Sequence, residues 1–376
     1  MTHSPIDTGA MIEGIRRWVE TESPTRSKEA VNRMIDLVQS EVEGLPVQVE
    51  RVPGKSGFAD NLIVRNTAPG AGAGILILSH IDTVHPLGTL KGPLPFRRDG
   101  DKLYGPGLLD MKGGAYLALE AFRQVARHKT ARLPVTFLFT PDEEVGSPTS
   151  RPLIEAEAKQ ARYVLVTEPA RDGGKIVTSR KGVGRFEVEA TGVPAHSGAR
   201  HQDGRSAIKE MAHQVLAIEA MTDYARGITT TVGMIAGGTA PNVIPQHCHI
   251  TVDLRVRDHA AGEELEAKIL GLEPVDPGVT LAVTGGMNRP PFEMSTAIEV
   301  LFRHAQAVAK GVGFDLQYTE MTGGGSDGNF TAALGVPTLD GLGIDGDGAH
   351  THWEHGLISS IAPRTLLMRG LLETLA

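Results

Sequence analysis

The chain has 376 residues, 40% of them hydrophobic and 22% charged, with a formal net charge of −8. This is the composition of a globular protein that buries a large core in two or three domains of about 150 residues. Its acidic balance excludes a general nucleic-acid or anionic-membrane binder. Cys248 is the only cysteine, which excludes an internal disulfide and a thiolate metal cluster. The opening segment MTHSPIDTGAMIEGIRRWVE has no apolar h-region, and no run of about 18 apolar residues follows it, so a cytoplasmic chain without a membrane partner is expected.

In chain order, GAMIEGIRRWVE and SKEAVNRMIDLVQSEVEGL carry apolar residues at helical spacing. The runs NLIVRN, GILILSH, PVTFLFT and ARYVLVTEP, rich in Val, Ile and Leu, predict short buried strands. Helix-forming GGAYLALEAFRQVARH lies among them, the pattern of an α/β sheet covered on both faces. After Lys181 the texture changes. GRFEVEATG alternates with period two, SAIKEMAHQVLAIEAMT is an amphipathic helix, and ITTTVGMIAGG and HCHITVDLRVR predict strands. AGEELEAKILGL is again helical and VTLAVTGG a strand, which completes a β-α-β-β-α-β order, the split ferredoxin-like arrangement. From NRPPFEM the first texture returns, with a helix over 296–310, a strand in FDLQYTE, a Gly-rich turn and a final helix. The expected fold is an α/β domain with a central mixed sheet, residues 1–181 and 288–376, interrupted by a ferredoxin-like domain at 182–287.

Chemistry-bearing residues collect where strands end. His80 and Asp82 follow GILIL, Asp110 sits in GLLDMKGG before a helix, Glu143 and Glu144 follow PVTFLFT, Glu168 ends VLVTEP, and His350 lies in the loop GDGAHTH. Ligands of open α/β sheets bind beyond the carboxyl ends of strands. Histidines and carboxylates without cysteine form a nitrogen and oxygen ligand set for divalent metals, and crowded acids repel one another unless cations neutralise them. Each signal alone has a plainer reading: a turn for His-x-Asp, a solvated helix start for Glu143-Glu144, a helix cap for Asp110. Their shared position at strand ends favours the metal site.

The ordered motifs SHIDTV, YGPGLLDMKGG, PDEEVGS, VTEP, GVPAHSG, APNVIPQ, VDLRV, NRPPF, TGGGSDG and GAHT resemble the M20 family of metal-dependent peptidases and amidohydrolases, and most of all its glutamate carboxypeptidase branch. The resemblance covers nearly the whole chain. It implies a catalytic α/β domain holding two divalent metal ions, zinc first with manganese or cobalt as alternatives, and an inserted lid through which two copies form a homodimer. It also implies that His80, Asp110 and Glu168 hold one ion and Asp110, Glu144 and His350 the other, with Asp110 bridging. Asp82 would hydrogen-bond the second ring nitrogen of His80. Glu143 would be the general base that takes a proton from the metal-bridging water and passes it to the leaving nitrogen. A cis peptide is implied at Asp110–Met111.

From the lid, the resemblance implies that His196 reaches the substrate carbonyl, that Asn242 lies near the substrate carboxylate, and that Arg289 pairs with that carboxylate. The glycine loop with Gly324 and Gly325 would offer it backbone N–H groups. That loop, GGGSDG, formally fits a dinucleotide fingerprint, but it comes too late in the chain to begin a nucleotide-binding unit. His352 and His355 are assigned to the rim or surface, His247 and His249 to ordinary lid positions, and Lys112 to a loop cation beside acids. The implied activity is cleavage of a C–N bond of a small carboxylate-bearing substrate, with release of a C-terminal amino acid such as glutamate. Deacylation of N-acyl amino acids and deamination of an aromatic acid, for which Tyr104, Leu108 and Leu109 would form the pocket wall, are the alternatives. An inactive binding protein on the same fold is the rival of another class.

Overall fold

The computed structural model describes residues 6–68 and 70–376. They fall into two compact units, the larger formed by Met1–Ser179, Met294–Thr322 and Ser326–Ala376, the smaller by Arg180–Glu293 with Gly323–Gly325.

The larger unit is built on a six-stranded mixed sheet in the order Gln48–Val52, Asn61–Arg65, Val135–Thr140, Gly74–His80, Ala161–Val166, Thr338–Leu339. The three central strands and Thr338–Leu339 run parallel, and the first two pair antiparallel. Gly74–His80 is buried along its whole length, as a strand covered on both faces must be, which is why it reads as an unbroken apolar run rather than an alternation. On one face Ile63, Leu76, Leu78, Leu138, Val164 and Val166 pack with Ile154 and Phe330. Among the helices, Trp18 of Thr8–Glu20 is fully buried, its ring edge-on to Tyr116 of Gly113–His128. Helix Gly113–His128 in turn packs on the C-terminal helix Ile358–Thr374.

A smaller antiparallel sheet joins Gly346–Asp347, His355–Leu357, Lys102–Tyr104 and Arg97–Asp99. Its pairing of His355–Leu357 with Lys102–Tyr104 lays the segment after His350 alongside the segment before Asp110. The strand expected over FDLQYTE does not form. Residues 314–320 are irregular apart from one bridge, Tyr318 to Ile176, because the residues on either side of Ile176 pair elsewhere, Lys175 with Arg171 and Val177 with Asp340. Gln317 and Thr319 exhaust the backbone groups of Ile176 at 2.9 Å each, and Leu316 is buried without a strand around it.

The smaller unit is a four-stranded antiparallel sheet in the order Thr280–Arg289, Gly182–Thr191, His247–Val256, Thr229–Gly237, with helices Ala207–Glu219 and His259–Leu270. Alternate residues Phe186, Val188 and Ala190 of one strand and Cys248, Ile250, Val252 and Leu254 of the next face a core closed by Met211 and Leu265. That period of two is the pattern of a sheet with one covered face. Among the described residues, no helix is long and apolar enough to cross a membrane.

Candidate metal centre

The central parallel strands end along one edge, and there the first acids and imidazoles of the larger unit gather. His80 closes Gly74–His80 and is 2% exposed. Its Nε2 stands 3.1 Å from Asp110 Oδ1 and 3.7 Å from Glu168 Oε1. Its Nδ1 is 3.0 Å from the main-chain oxygen of Asp82 and 3.5 Å from Asp82 Oδ1, so the carbonyl is the closer orienting partner. Asp82 thus faces the second ring nitrogen of His80 with both its carbonyl and its carboxylate. Its buried carboxylate also accepts from the Thr25 hydroxyl at 2.7 Å and from the backbone N–H groups of Glu143 and Glu144 at 3.2 and 3.3 Å. Asp82 therefore fixes the ring of His80 through its backbone and the Glu143–Val145 turn through its side chain.

Asp110 lies in the turn Leu108–Lys112, entered through Gly107 at φ +69°, and the Asp110–Met111 peptide is cis, as the resemblance implies. The turn is held from below by Glu354, whose carboxylate accepts the N–H groups of Leu109 at 2.8 Å, Asp110 at 3.1 Å and Gly107 at 3.1 Å. His85 Nε2 completes that carboxylate's shell at 2.6 Å. Sequence reasoning missed Glu354 and His85, since only their joint burial distinguishes them from other polar residues of their loops. His350, at φ +64°, places Nε2 3.3 Å from Asp110 Oδ2 and 3.2 Å from Glu144 Oε2. Glu168 sits where two glycines let backbones touch. A Cβ on Gly343 would lie 2.2 Å from Thr167 O and one on Gly114 2.1 Å from the same atom, while the Gly343 N–H donates to the Glu168 carbonyl at 2.9 Å.

One donor atom each from His80, Asp110 and Glu144 lie within 4.8 Å of one another, and so do those of His80, Glu143 and Glu168. Burial pushes the Glu144 carboxyl up, and the charge of Asp110 adds to this, to about 8. Burial also acts against ionised Asp110, but hydrogen bonds from His350 and His80 hold it well below the ordinary carboxylate range. Hydrogen bonds to Asp110 and Glu144 raise His350 to about 11. Burial opposes a charge on His80 as well, yet its bonds to Asp110 and Asp82 hold it well above the usual imidazole value. Without a cation the imidazoles themselves carry the positive charge that the acids require, and Glu144 Oε1 is left buried without a hydrogen-bond partner. The residues thus fit divalent cations: nitrogen and oxygen donors, a charge deficit and an unfilled acceptor. Donor separations of 3.1, 3.2, 3.3 and 3.7 Å match the roughly 3.4 Å edge of a tetrahedron with ~2.1 Å metal–ligand bonds.

Behind this cluster Lys112 is fully buried, donates to the Thr21 carbonyl at 2.8 Å and is lowered by that burial to about 7. It stands beside the acids Glu354, Glu22 and Asp82, as expected of a turn residue there, but is buried. Leu108 and Leu109 are 0% and 2% exposed and belong to the core, so they form no pocket wall. Tyr104 is half-buried, with the Arg97 guanidinium 3.5 Å from its ring centre and His355 beside it at 5.3 Å. His352 is exposed as expected, but His355 is buried at 6% and pairs in the small sheet, which corrects its assignment to the rim.

In the smaller unit His196 is exposed, and its Nδ1 accepts the N–H groups of Gly198 and Ala199 at 3.2 Å each. Its backbone bridges to Val243, and the Ser197 N–H donates to the Asn242 carbonyl at 3.1 Å, so the GVPAHSG and APNVIPQ loops lie together. Arg289 is 4% exposed at the end of its strand. Gly325 packs on it so tightly that a Cβ there would stand 2.7 Å from Arg289 Cδ. The carbonyls of Gly324 and Gly323 accept from Arg180 at 3.0 Å and Arg255 at 3.3 Å, so the glycine loop is gripped by guanidinium groups. His249 pairs with Glu187 at 2.6 Å.

Comparison with known proteins places this geometry. Carboxypeptidase G2 of Pseudomonas sp. (strain RS-16) is 32% identical over 96% of this chain and 88% of its own length. Succinyl-diaminopimelate desuccinylase of Burkholderia vietnamiensis (strain G4 / LMG 22486) is 31% identical over 83% and 86%. In fold, the chain is similar to the solved M20 family metallo-carboxypeptidase Sso-CP2 from Sulfolobus solfataricus, with a TM-score of 0.72 at 16% identity over 96% of this chain and 98% of that one. The profile of Peptidase family M20/M25/M40 matches residues 76–374, which contain every residue of the acid–imidazole cluster, and the chain belongs to that family of metallohydrolases.

Proposed function

We propose that the protein is a two-metal hydrolase that cleaves the C–N bond of a small carboxylate-bearing amide or peptide and releases a C-terminal amino acid such as glutamate. The observation that carries this reading is the convergence of His80, Asp110, Glu143, Glu144, Glu168 and His350 at one edge, with more buried negative charge than the imidazoles neutralise without abnormal protonation. In this reading His80, Asp110 and Glu168 hold one divalent ion and Asp110, Glu144 and His350 the other. Bound there, such ions supply Lewis acidity toward a carbonyl and lower the pKa of water.

The remaining steps belong to the chain's own side chains. Glu143 takes a proton from the attacking water on its carboxylate and delivers it to the leaving nitrogen. Asp82 keeps Glu143 in place through the backbone N–H it accepts. Arg289 pairs with the substrate carboxylate, supported by its burial against Gly325 within a loop held by Arg180 and Arg255. Asn242 assists at that end, Gly324 and Gly325 line it, and His196 donates to the carbonyl oxygen as it gains charge. The smaller unit serves as a lid and as the dimerisation surface of a homodimer.

The likeness to a desuccinylase favours one second reading, removal of an acyl group from an N-acyl amino acid by the same residues. The two are separated by offering metal-stripped protein, resupplied with Zn, Mn or Co, a panel of peptides, N-acyl amino acids and aminoaromatic acids. Metal-dependent release of free glutamate or another C-terminal amino acid supports the carboxypeptidase reading. Release of a short-chain acid supports the deacylase, and ammonia from an aromatic amine overturns both.

A further inference from the structure

Glu354 and His85 form a fully enclosed pair that has no part in the chemistry above. Glu354 is 0% exposed and His85 5%. One carboxylate oxygen accepts the N–H groups of Leu109 and Asp110, at 2.8 and 3.1 Å. The other accepts the Gly107 N–H at 3.1 Å and faces His85 Nε2 at 2.6 Å. Every one of these neighbours is a donor if His85 carries its proton on Nε2, and the two carboxylate oxygens between them receive all four. Glu354 also stands four residues after His350, at the foot of the same loop, and its neighbour His355 begins the strand that pairs with Lys102–Tyr104. A single buried side chain therefore ties together the two loops whose tips bring Asp110 and His350 within 3.3 Å.

We propose that Glu354, oriented by His85, is a positioning residue that sets the Asp110 turn and the His350 loop in register for metal capture. A carboxylate suits this task because it gathers several N–H groups of one turn onto two fixed oxygens, whereas water at that place would leave the turn free to tilt. His85 removes the remaining freedom of the carboxylate by donating to one oxygen. The Asp110 side chain, whose two oxygens face His80 and His350, then points in a direction set by its own backbone.

The inference rests on the metal-centre reading of Asp110 and His350, and its test keeps the two apart. Zinc affinity is measured by chelator competition, and the visible spectrum of the cobalt form is recorded, for the full-length wild type, Glu354→Gln, His85→Gln and His85→Leu. Glu354→Gln keeps the shape but sets an amide NH₂ against a backbone N–H. It is expected to weaken zinc binding by about 10–100-fold and to change the cobalt spectrum. His85→Gln keeps a donor and is expected to retain wild-type affinity, while His85→Leu shares the defect of Glu354→Gln. If wild type binds zinc and Glu354→Gln matches it in affinity and spectrum, the positioning role is overturned and the metal centre stands. Should Glu354→Gln not fold, equal affinity in the two His85 variants overturns the role. Failure of the wild type to bind zinc, manganese or cobalt overturns the metal reading and this inference with it.

Discussion

The acid–imidazole cluster of the larger unit and the His196–Asn242 loops of the smaller unit carry residues of similar polarity in opposite settings. The first encloses every member but His350, whose ring is partly exposed, and its members alter one another's protonation: Glu144 rises to about 8 and His350 to about 11. In the second, His196 and Asn242 are exposed, tied by backbone bridges and by the Gly198 and Ala199 N–H groups that donate to the His196 ring. Buried like charges are costly unless something neutralises them, so the first arrangement implies a cation from its own energetics. Exposed polar groups satisfy themselves with water and imply nothing by themselves, which is why the role of His196 rests on resemblance and not on its surroundings.

The contrast sets an order of expected effects. Chelation should act most strongly, abolishing amide hydrolysis until zinc, manganese or cobalt is resupplied. Full turnover by metal-free protein would dissolve the distinction between the two regions. Next, Glu143→Ala should lower kcat by about 10²–10⁴-fold with metal content unchanged, read by steady-state kinetics beside elemental analysis. A loss of metal in that variant would make Glu143 a ligand rather than a base.

On the exposed side, His196→Ala should lower kcat by about 10²–10³-fold and leave the metals bound, since its ring accepts hydrogen bonds from Gly198 and Ala199 of its own loop. An emptied metal site would end its assignment to substrate. Arg289→Ala should remove a charge-assisted pair of about 1.5–3 kcal/mol, seen as a rise in KM for carboxylate substrates and little change for their esters. The smallest effect is expected from Thr25→Val, which deletes one buried hydroxyl donor to Asp82. A shift of about 1 kcal/mol should appear in chemical denaturation, and an unchanged midpoint would show that Asp82 is anchored by the Glu143 and Glu144 N–H groups alone.

Much of the cluster was legible because strand ends announce themselves. GILILSH, PVTFLFT and ARYVLVTEP are buried runs, and the residues just past them share one sheet edge by topology alone. The weaker readings failed where a side chain's fate depended on a distant neighbour. FDLQYTE alternates like a strand but forms a single bridge, to Ile176, whose neighbours pair elsewhere, so no ladder forms. Tyr104, Leu108 and Leu109 flank Asp110 in sequence, yet the leucines turn inward to the core. His355 resembles His352 in its local sequence but is carried inward by the strand it begins.

The sequence by itself determined the alternation of α/β and ferredoxin-like segments, the nitrogen and oxygen character of the ligand set and the family, because periodicity and ordered motifs are local properties of the chain. Only the tertiary structure decided that Asp82 serves His80 with its carbonyl and the Glu143–Glu144 turn with its carboxylate. It alone revealed that Glu354, 244 residues from Asp110 along the chain, holds the backbone beneath it. Hydrogen bonds between distant segments depend on where folding brings donors and acceptors, and no local pattern of residues encodes that meeting.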